Sequence, residues 1–106
     1  GAVSAGVVHS LVLGVDGLVY SFGMGHIGLG NNSYQPTPQV IEALRGVRAI
    51  AVSAGADHSL VLGRGGVVYS FGDGAYGRLG LGNTDNQLTP QVIKALKGVR
   101  VRAVAA

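Results

Sequence analysis

The 106-residue sequence contains no cysteine and no tryptophan. Without cysteine there is no disulfide framework and no thiolate metal site. Charge is also scarce. Charged residues make up 12% of the chain, against about 25% in an average soluble domain. No apolar run reaches the roughly 18 residues that a membrane-spanning helix needs, so no membrane contact is expected. No signal peptide is legible, and the chain opens on Gly1 rather than Met. We therefore expect an excised or processed stretch of an intracellular protein, with nucleus and cytoplasm both open. The net charge of +3 arises from few charged groups. It argues little for nucleic acid as a partner of this segment.

What the chain does have is glycine, 19 residues, and 47% hydrophobic residues. A domain of this length buries only about two-thirds of its unfolded surface. The exposed remainder normally carries many charges. So few charges imply that part of this surface is covered, by more of the same structure or by other chains.

The sequence repeats itself. Val3-Ser-Ala-Gly6 recurs as Val52-Ser-Ala-Gly55, His9-Ser-Leu-Val-Leu-Gly14 as His58-Ser-Leu-Val-Leu-Gly63, and Val19-Tyr-Ser-Phe-Gly23 as Val68-Tyr-Ser-Phe-Gly72. Further on, Gly28-Leu-Gly-Asn31 recurs as Gly80-Leu-Gly-Asn83 and Thr37-Pro-Gln-Val-Ile41 as Thr89-Pro-Gln-Val-Ile93. The second copy is longer by the residues around Gly77-Arg78-Leu79. Ala103-Val-Ala-Ala106 resembles Ala51-Val-Ser-Ala54, so the chain ends as a third copy would begin. We divide it at 1–51 and 52–106, and expect a truncated array.

Each copy reads as β structure. Leu11–Leu13 and Leu18–Phe22 are short, apolar and bounded by glycine. Gly14-Val-Asp-Gly17 and Gly63-Arg-Gly-Gly66 supply the positive φ of a tight hairpin turn. Val47–Val52 makes a further strand. The stretches Thr37–Leu44 and Thr89–Leu96 stay open between two readings. Thr followed by Pro and a later Gly suits a short helix; Pro also suits the start of an edge strand.

These motifs in this order resemble the repeat of the regulator of chromosome condensation, over nearly the whole chain. The resemblance implies an all-β fold: four-stranded antiparallel blades of a β-propeller, usually seven to a ring. Two copies make an incomplete ring, or part of a larger or oligomeric propeller. Phe22 and Phe71 stand where the family commonly has Trp. The resemblance further implies a protein partner, with exchange of guanine nucleotide on a small GTPase such as Ran as the family's best-known activity.

Recurrence separates scaffold from function. A residue present in both copies serves the blade; chemistry needs one site. His9 and His58 each precede Ser, but neighbouring strand residues point to opposite faces. His9 therefore cannot activate Ser10, and we read both imidazoles as structural, bonded to nearby backbone. One His per unit also falls short of the about four ligands of a zinc site. Gly23-Met-Gly-His-Ile-Gly28 and Gly72-Asp-Gly-Ala-Tyr-Gly77 spell a nucleotide-loop pattern, yet the residues after each are hostile to the helix such a loop requires. With Phe22, Phe71, Gly23 and Gly72, these are repeat residues. Asn31-Asn-Ser33 is a glycosylation sequon in one copy only, and we attach nothing to it. No catalytic constellation, cofactor or metal set emerges, and an enzyme is the least expected class.

Contact residues should be those that differ between copies and lie in loops. They are Met24, His26, Ile27 and Tyr34 in the first copy, and Asp57, Arg64, Asp73, Tyr76 and Arg78 in the second. Tyr76 beside Arg78 is the one exposed aromatic expected next to a base. Lys94, Lys97, Arg100 and Arg102 form a basic cluster. It reads first as a solvated edge that discourages strand pairing, and second as a patch for an acidic or phosphate-bearing partner. The expected function is a non-catalytic interaction scaffold. Partners could be a GTPase, subunits of a large complex, further blades, or copies of the chain assembled into a ring.

Overall fold

A computed structural model describes residues 2–99 and 101–106. Two four-stranded antiparallel sheets follow one another along the chain, each in sequential strand order. The first holds β1 (Ala2–Ala5), β2 (His9–Leu13), β3 (Val19–Gly23) and β4 (Gln35–Val40). The second holds β5 (Ala49–Ala54), β6 (His58–Gly63), β7 (Val68–Gly72) and β8 (Gln87–Val92).

The glycine turns close the hairpins. Gly17 and Gly66 donate back to the carbonyls of Gly14 and Gly63, at 3.0 and 3.1 Å. In the first turn Asp16 accepts the Leu18 amide at 3.0 Å and the Tyr20 hydroxyl at 2.7 Å. The second turn lacks that lock, having Gly65 at the corresponding place. The two ambiguous stretches resolve as both alternatives in succession. Each is an edge strand through the Pro, then one turn of 3₁₀ helix, at Glu42–Leu44 and Lys94–Leu96. Three residues are enough to turn the chain without nucleating an α-helix.

Strand alternation gives every sheet two faces. Registers such as Ser10↔Phe22 and Leu11↔Ser21 put Leu11, Leu13 and Val19 on one face of the first sheet, Ser10, Val12 and Phe22 on the other. The second sheet repeats this: Leu60, Leu62 and Val68 face one way, Ser59, Val61 and Phe71 the other. The sheets stack so that Leu11, Leu13, Val19, Ile41 and Leu44 meet Val61 and Phe71 in one core. We call this the seam. Leu62, Val68 and Ile93 form a second, smaller cluster on the far side of the second sheet, capped by Val101 and Val104 of the tail.

Equivalent residues consequently have unequal burial. Phe71 is 0% exposed at the seam, whereas Phe22 faces outward and is only half-buried.

Candidate functional site

The turns preceding β2 and β6, and the long loops following β3 and β7, lie at one rim of the stack. The loops are held to the sheets by buried serines. Ser21 Oγ donates to the Ile27 carbonyl at 2.8 Å, and Ser70 Oγ to that of Leu79 at 2.7 Å. Ile27 and Leu79 are each 1% exposed. This corrects the expectation that Ile27 is a contact residue: it is a plug equivalent to Leu79, each directly preceding the shared Gly-Leu-Gly-Asn motif.

Between the two loops, at the seam, is a cleft of about 160 Å³ lined by Val8, His9, Met24, His26, Ile27, Asp57 and Asp73. Four expected contact residues, Met24, His26, Asp57 and Asp73, thus converge from both copies. Arg78 joins them, its guanidinium 4.0 Å from the Asp57 carboxylate. Its Cζ also sits 5.9 Å from the centroid of the Tyr76 ring. Tyr34 is exposed but does not line the cleft, and Arg64 belongs to the opposite rim.

The three residues by which the second copy exceeds the first build a braced loop. Asp73 Oδ1 accepts the Ala75 amide at 2.8 Å, Asn86 Oδ1 accepts the Gly74 amide at 3.0 Å, and Arg78 Nε donates to the Ala75 carbonyl at 2.9 Å. At its tip Tyr76 takes the left-handed conformation, φ 62°, with 94% of its surface exposed. Non-glycine residues seldom adopt it, and at a cost of about 1–2 kcal/mol. A large aromatic ring is thereby held out to solvent by an over-determined loop.

His9 stands at the floor of the cleft and is 4% exposed. Its Nε2 lies 2.7 Å from Ser59 Oγ on the other sheet. The imidazole's partner is therefore a hydroxyl across the seam, and the His58 backbone also favours its charged form. Burial, reinforced by the neighbouring His58, holds its pKa below the ordinary histidine value, with Asp57 opposing. His58 is shifted the same way by burial and then by Arg78. Its Nδ1 is out of solvent and has no partner among the described residues. Ser59 immediately follows the second copy's histidine, and the link joins one copy's His to the next copy's Ser.

The opposite rim gathers the positive charge. Arg45, Arg48 and Arg64 line one surface depression there, and Lys94 and Lys97 border another. Arg45 is bound to Glu42 at 2.7 Å. Arg102 is exposed on the tail; Arg100 lies outside the described residues. The basic cluster is therefore wider than the second copy alone, and it lies away from the cleft. Among the described residues no group of three or more His, Asp or Glu is placed to hold a metal ion. No helix among them is long and apolar enough to cross a membrane.

The regulator of chromosome condensation (RCC1) repeat model matches residues 16–62 and 65–106, and a second model of that repeat matches 49–78. The first match runs from the β2–β3 turn into β6, so one sequence repeat straddles two sheets. The chain is 43% identical to the E3 ubiquitin-protein ligase HERC2 of Homo sapiens, over 98% of this chain and 2% of that protein. It is 40% identical to the ultraviolet-B receptor UVR8 of Arabidopsis thaliana, over 99% of this chain and 25% of that one. Among solved structures, yeast RCC1 (Prp20) bound to Kap60 superposes with a TM-score of 0.77 at 28% identity, covering 88% of this chain and 24% of that one. Human WBSCR16, at 24% identity, shares the fold with a TM-score of 0.81, over 88% of this chain and 26% of that one. The chain thus spans about a quarter or less of the relatives it matches, and its two sheets are blades of the propeller kind. It belongs to the regulator of chromosome condensation (RCC1) repeat family.

Proposed function

We propose that this two-blade segment is a non-catalytic protein-interaction surface whose contact lies at the cleft rim of the seam. One observation carries the reading: loop residues that differ between the copies converge there, from both blades, around Met24, His26, Asp57 and Asp73. The rim supplies what a partner contact needs. Tyr76 is an exposed, pre-positioned aromatic, and aromatics dominate interface energetics. Asp57, Asp73 and Asp85 against Arg78 leave the rim acidic, which favours a basic partner.

A solved relative, yeast Prp20p, is described by its binding to Gsp1p and histones. These are the two probes of choice. Equilibrium binding to core histones and to Gsp1p is measured for the chain and for Asp57→Ala, Asp73→Ala and Tyr76→Ala. The expected result is binding to at least one probe, weakened by each substitution and by salt. Binding to neither, or binding indifferent to all three changes, rejects the rim as the contact.

The second reading is that the segment is part of a guanine-nucleotide exchange factor for a small GTPase such as Ran. It is favoured by the same relative's partner Gsp1p. Release of a fluorescent guanine nucleotide from the GTPase tests it. Acceleration by the chain supports exchange, and none at saturating chain removes it while leaving the binding reading intact.

A further inference from the structure

The depression on the rim opposite the cleft lies between the two blades, in the middle of the chain. The β2–β3 turn supplies Val15 and Asp16 to it, the link into β5 supplies Arg45, Arg48 and Ile50, and the β6–β7 turn supplies Arg64. It encloses about 640 Å³, within the range of about 300–1,000 Å³ that ligand pockets occupy. Two of its charges are already engaged. Asp16 accepts the Leu18 amide and the Tyr20 hydroxyl. Arg45 donates to both carboxylate oxygens of Glu42, at 2.7 and 2.9 Å. Arg48 and Arg64 are not engaged: the ion pairs among the described residues are Glu42–Arg45 and Asp57–Arg78.

The backbone holds these two arginines side by side. Arg64 N donates to the Arg48 carbonyl at 2.7 Å, which extends the pairing of Ala49 with Gly63 by one step. Arg48 and Arg64 thus stand opposite one another, and like charges so placed repel. Both are exposed, and Arg64 takes the place that Val15 has in the first copy. No carboxylate among the described residues offsets the repulsion; an anion set between the two would. Beside them lie two bare aliphatic side chains, Val15 at 96% and Ile50 at 57% exposure.

We infer that this depression docks an acidic peptide segment of a partner protein, in which carboxylates neighbour an aliphatic residue. The planar guanidinium fork matches a carboxylate through two parallel hydrogen bonds, and one carboxylate between Arg48 and Arg64 relieves their repulsion. Val15 and Ile50 give the aliphatic neighbour a surface on which to leave water. A nucleic acid fits less well. It draws affinity from a run of phosphate contacts and from rings that stack on its bases. The depression offers two unpaired arginines, has no aromatic ring in its lining among the described residues and includes the Asp16 carboxylate.

Fluorescence anisotropy on the full chain tests the proposal, with a labelled peptide of repeating Glu-Glu-Leu as the probe. Peptides of repeating Gln-Gln-Leu and Glu-Glu-Ser, and a labelled DNA duplex, are the comparisons. The Glu-Glu-Leu peptide should bind tightest, and both altered peptides should bind more weakly. Arg48→Gln and Arg64→Gln should each weaken it about tenfold, the loss of one hydrogen bond to a charged group. Each should also raise the urea midpoint of the chain, because the facing charge is gone. Val15→Ser should weaken the Glu-Glu-Leu peptide and leave Glu-Glu-Ser unchanged. Asp57→Ala and Tyr76→Ala on the other rim should change nothing, so this result stands apart from the contact proposed above. The proposal is overturned if the Glu-Glu-Leu peptide does not bind, or binds equally well to both arginine variants. It is equally overturned if the duplex binds more tightly through the same two arginines, which makes the occupant a nucleic acid. Self-association of the chain that Arg64→Gln disperses, and that the peptide does not compete with, makes the occupant a second copy and overturns it as well.

Discussion

Tyr76 combines conformational cost with exposure. Its φ of 62° is the only positive value among non-glycine residues described, and the side chain gains almost no packing in return. Replacing it with glycine removes about 1–2 kcal/mol of backbone cost but adds about 0.4–1 kcal/mol of unfolded-chain entropy. Tyr76→Gly should therefore be more stable, by roughly 0.5–1 kcal/mol, in urea denaturation. It should at the same time bind the histone or Gsp1p probe less tightly. A variant that loses stability would show that the ring packs in a way its exposure denies. His9 makes a second residue-scale prediction. Its folded pKa lies below the ordinary histidine value of 6.5 because burial opposes its charge. The unfolded chain takes up the proton first as pH falls, so the folded state is penalised. The contribution of His9 is fully present above 6.5 and is lost progressively below it, down to the depressed folded pKa. Its surroundings set the balance: burial and then the charge of the His58 ring oppose protonation, while Asp57 and the His58 backbone favour it. Thermal midpoints between neutral and mildly acidic pH should fall, and His9→Gln should flatten that dependence.

At the scale of elements, the repeat gives each substitution a built-in control. Ser59 and Ser10 are identical in sequence context, but only Ser59 lies at a seam. Ser59→Ala strands the buried His9 nitrogen and should cost about 1–3 kcal/mol, while Ser10→Ala should cost almost nothing in the monomer. Phe71→Ala should likewise cost about 3–5 kcal/mol, and Phe22→Ala markedly less. Equal costs within either pair, measured by urea denaturation at dilution, would contradict the stacking. The strands themselves are legible in the sequence because glycine turns and period-two apolar runs are local signals. So is the Thr-Pro ambiguity, which resolves into a strand plus a 3₁₀ turn because both sets of cues are present in series. Ile27 is misread as a contact residue although the following Gly-Leu-Gly-Asn motif aligns it with Leu79, and its burial and the bond from Ser21 to its carbonyl show the shared role. The seam bond escapes such a reading, because it joins the histidine of one copy to the serine of the next. Comparison within copies conceals a contact that exists only between them. The left-handed Tyr76 has no sequence mark at all beyond the loop's three additional residues.

At the scale of the molecule, stacking joins apolar faces of the two sheets in one core. The same stacking fixes how the chain unfolds. Leu11, Leu13 and Val19 of one blade share a single core with Val61 and Phe71 of the other. Neither blade has a comparable core of its own, since the cluster of Leu62, Val68 and Ile93 is small and partly open. In an array of stacked units the nearest-neighbour interface supplies much of the stability. The first blade therefore has little that would hold it folded without the second. Denaturation of the wild-type chain should be one transition, with tyrosine fluorescence and circular dichroism coincident. Phe71→Ala weakens the shared core while leaving the outer cluster intact, so it should uncouple the blades as well as destabilise them. The expected signature is a lower m-value, with the two probes separating, because m follows the surface exposed in each cooperative step. Val68→Ala removes volume from the outer cluster instead. It should lower the midpoint with m unchanged, since the seam and its cooperativity remain. If Val68→Ala separated the probes and Phe71→Ala did not, the cooperative core would lie on the far side of the second blade rather than at the seam.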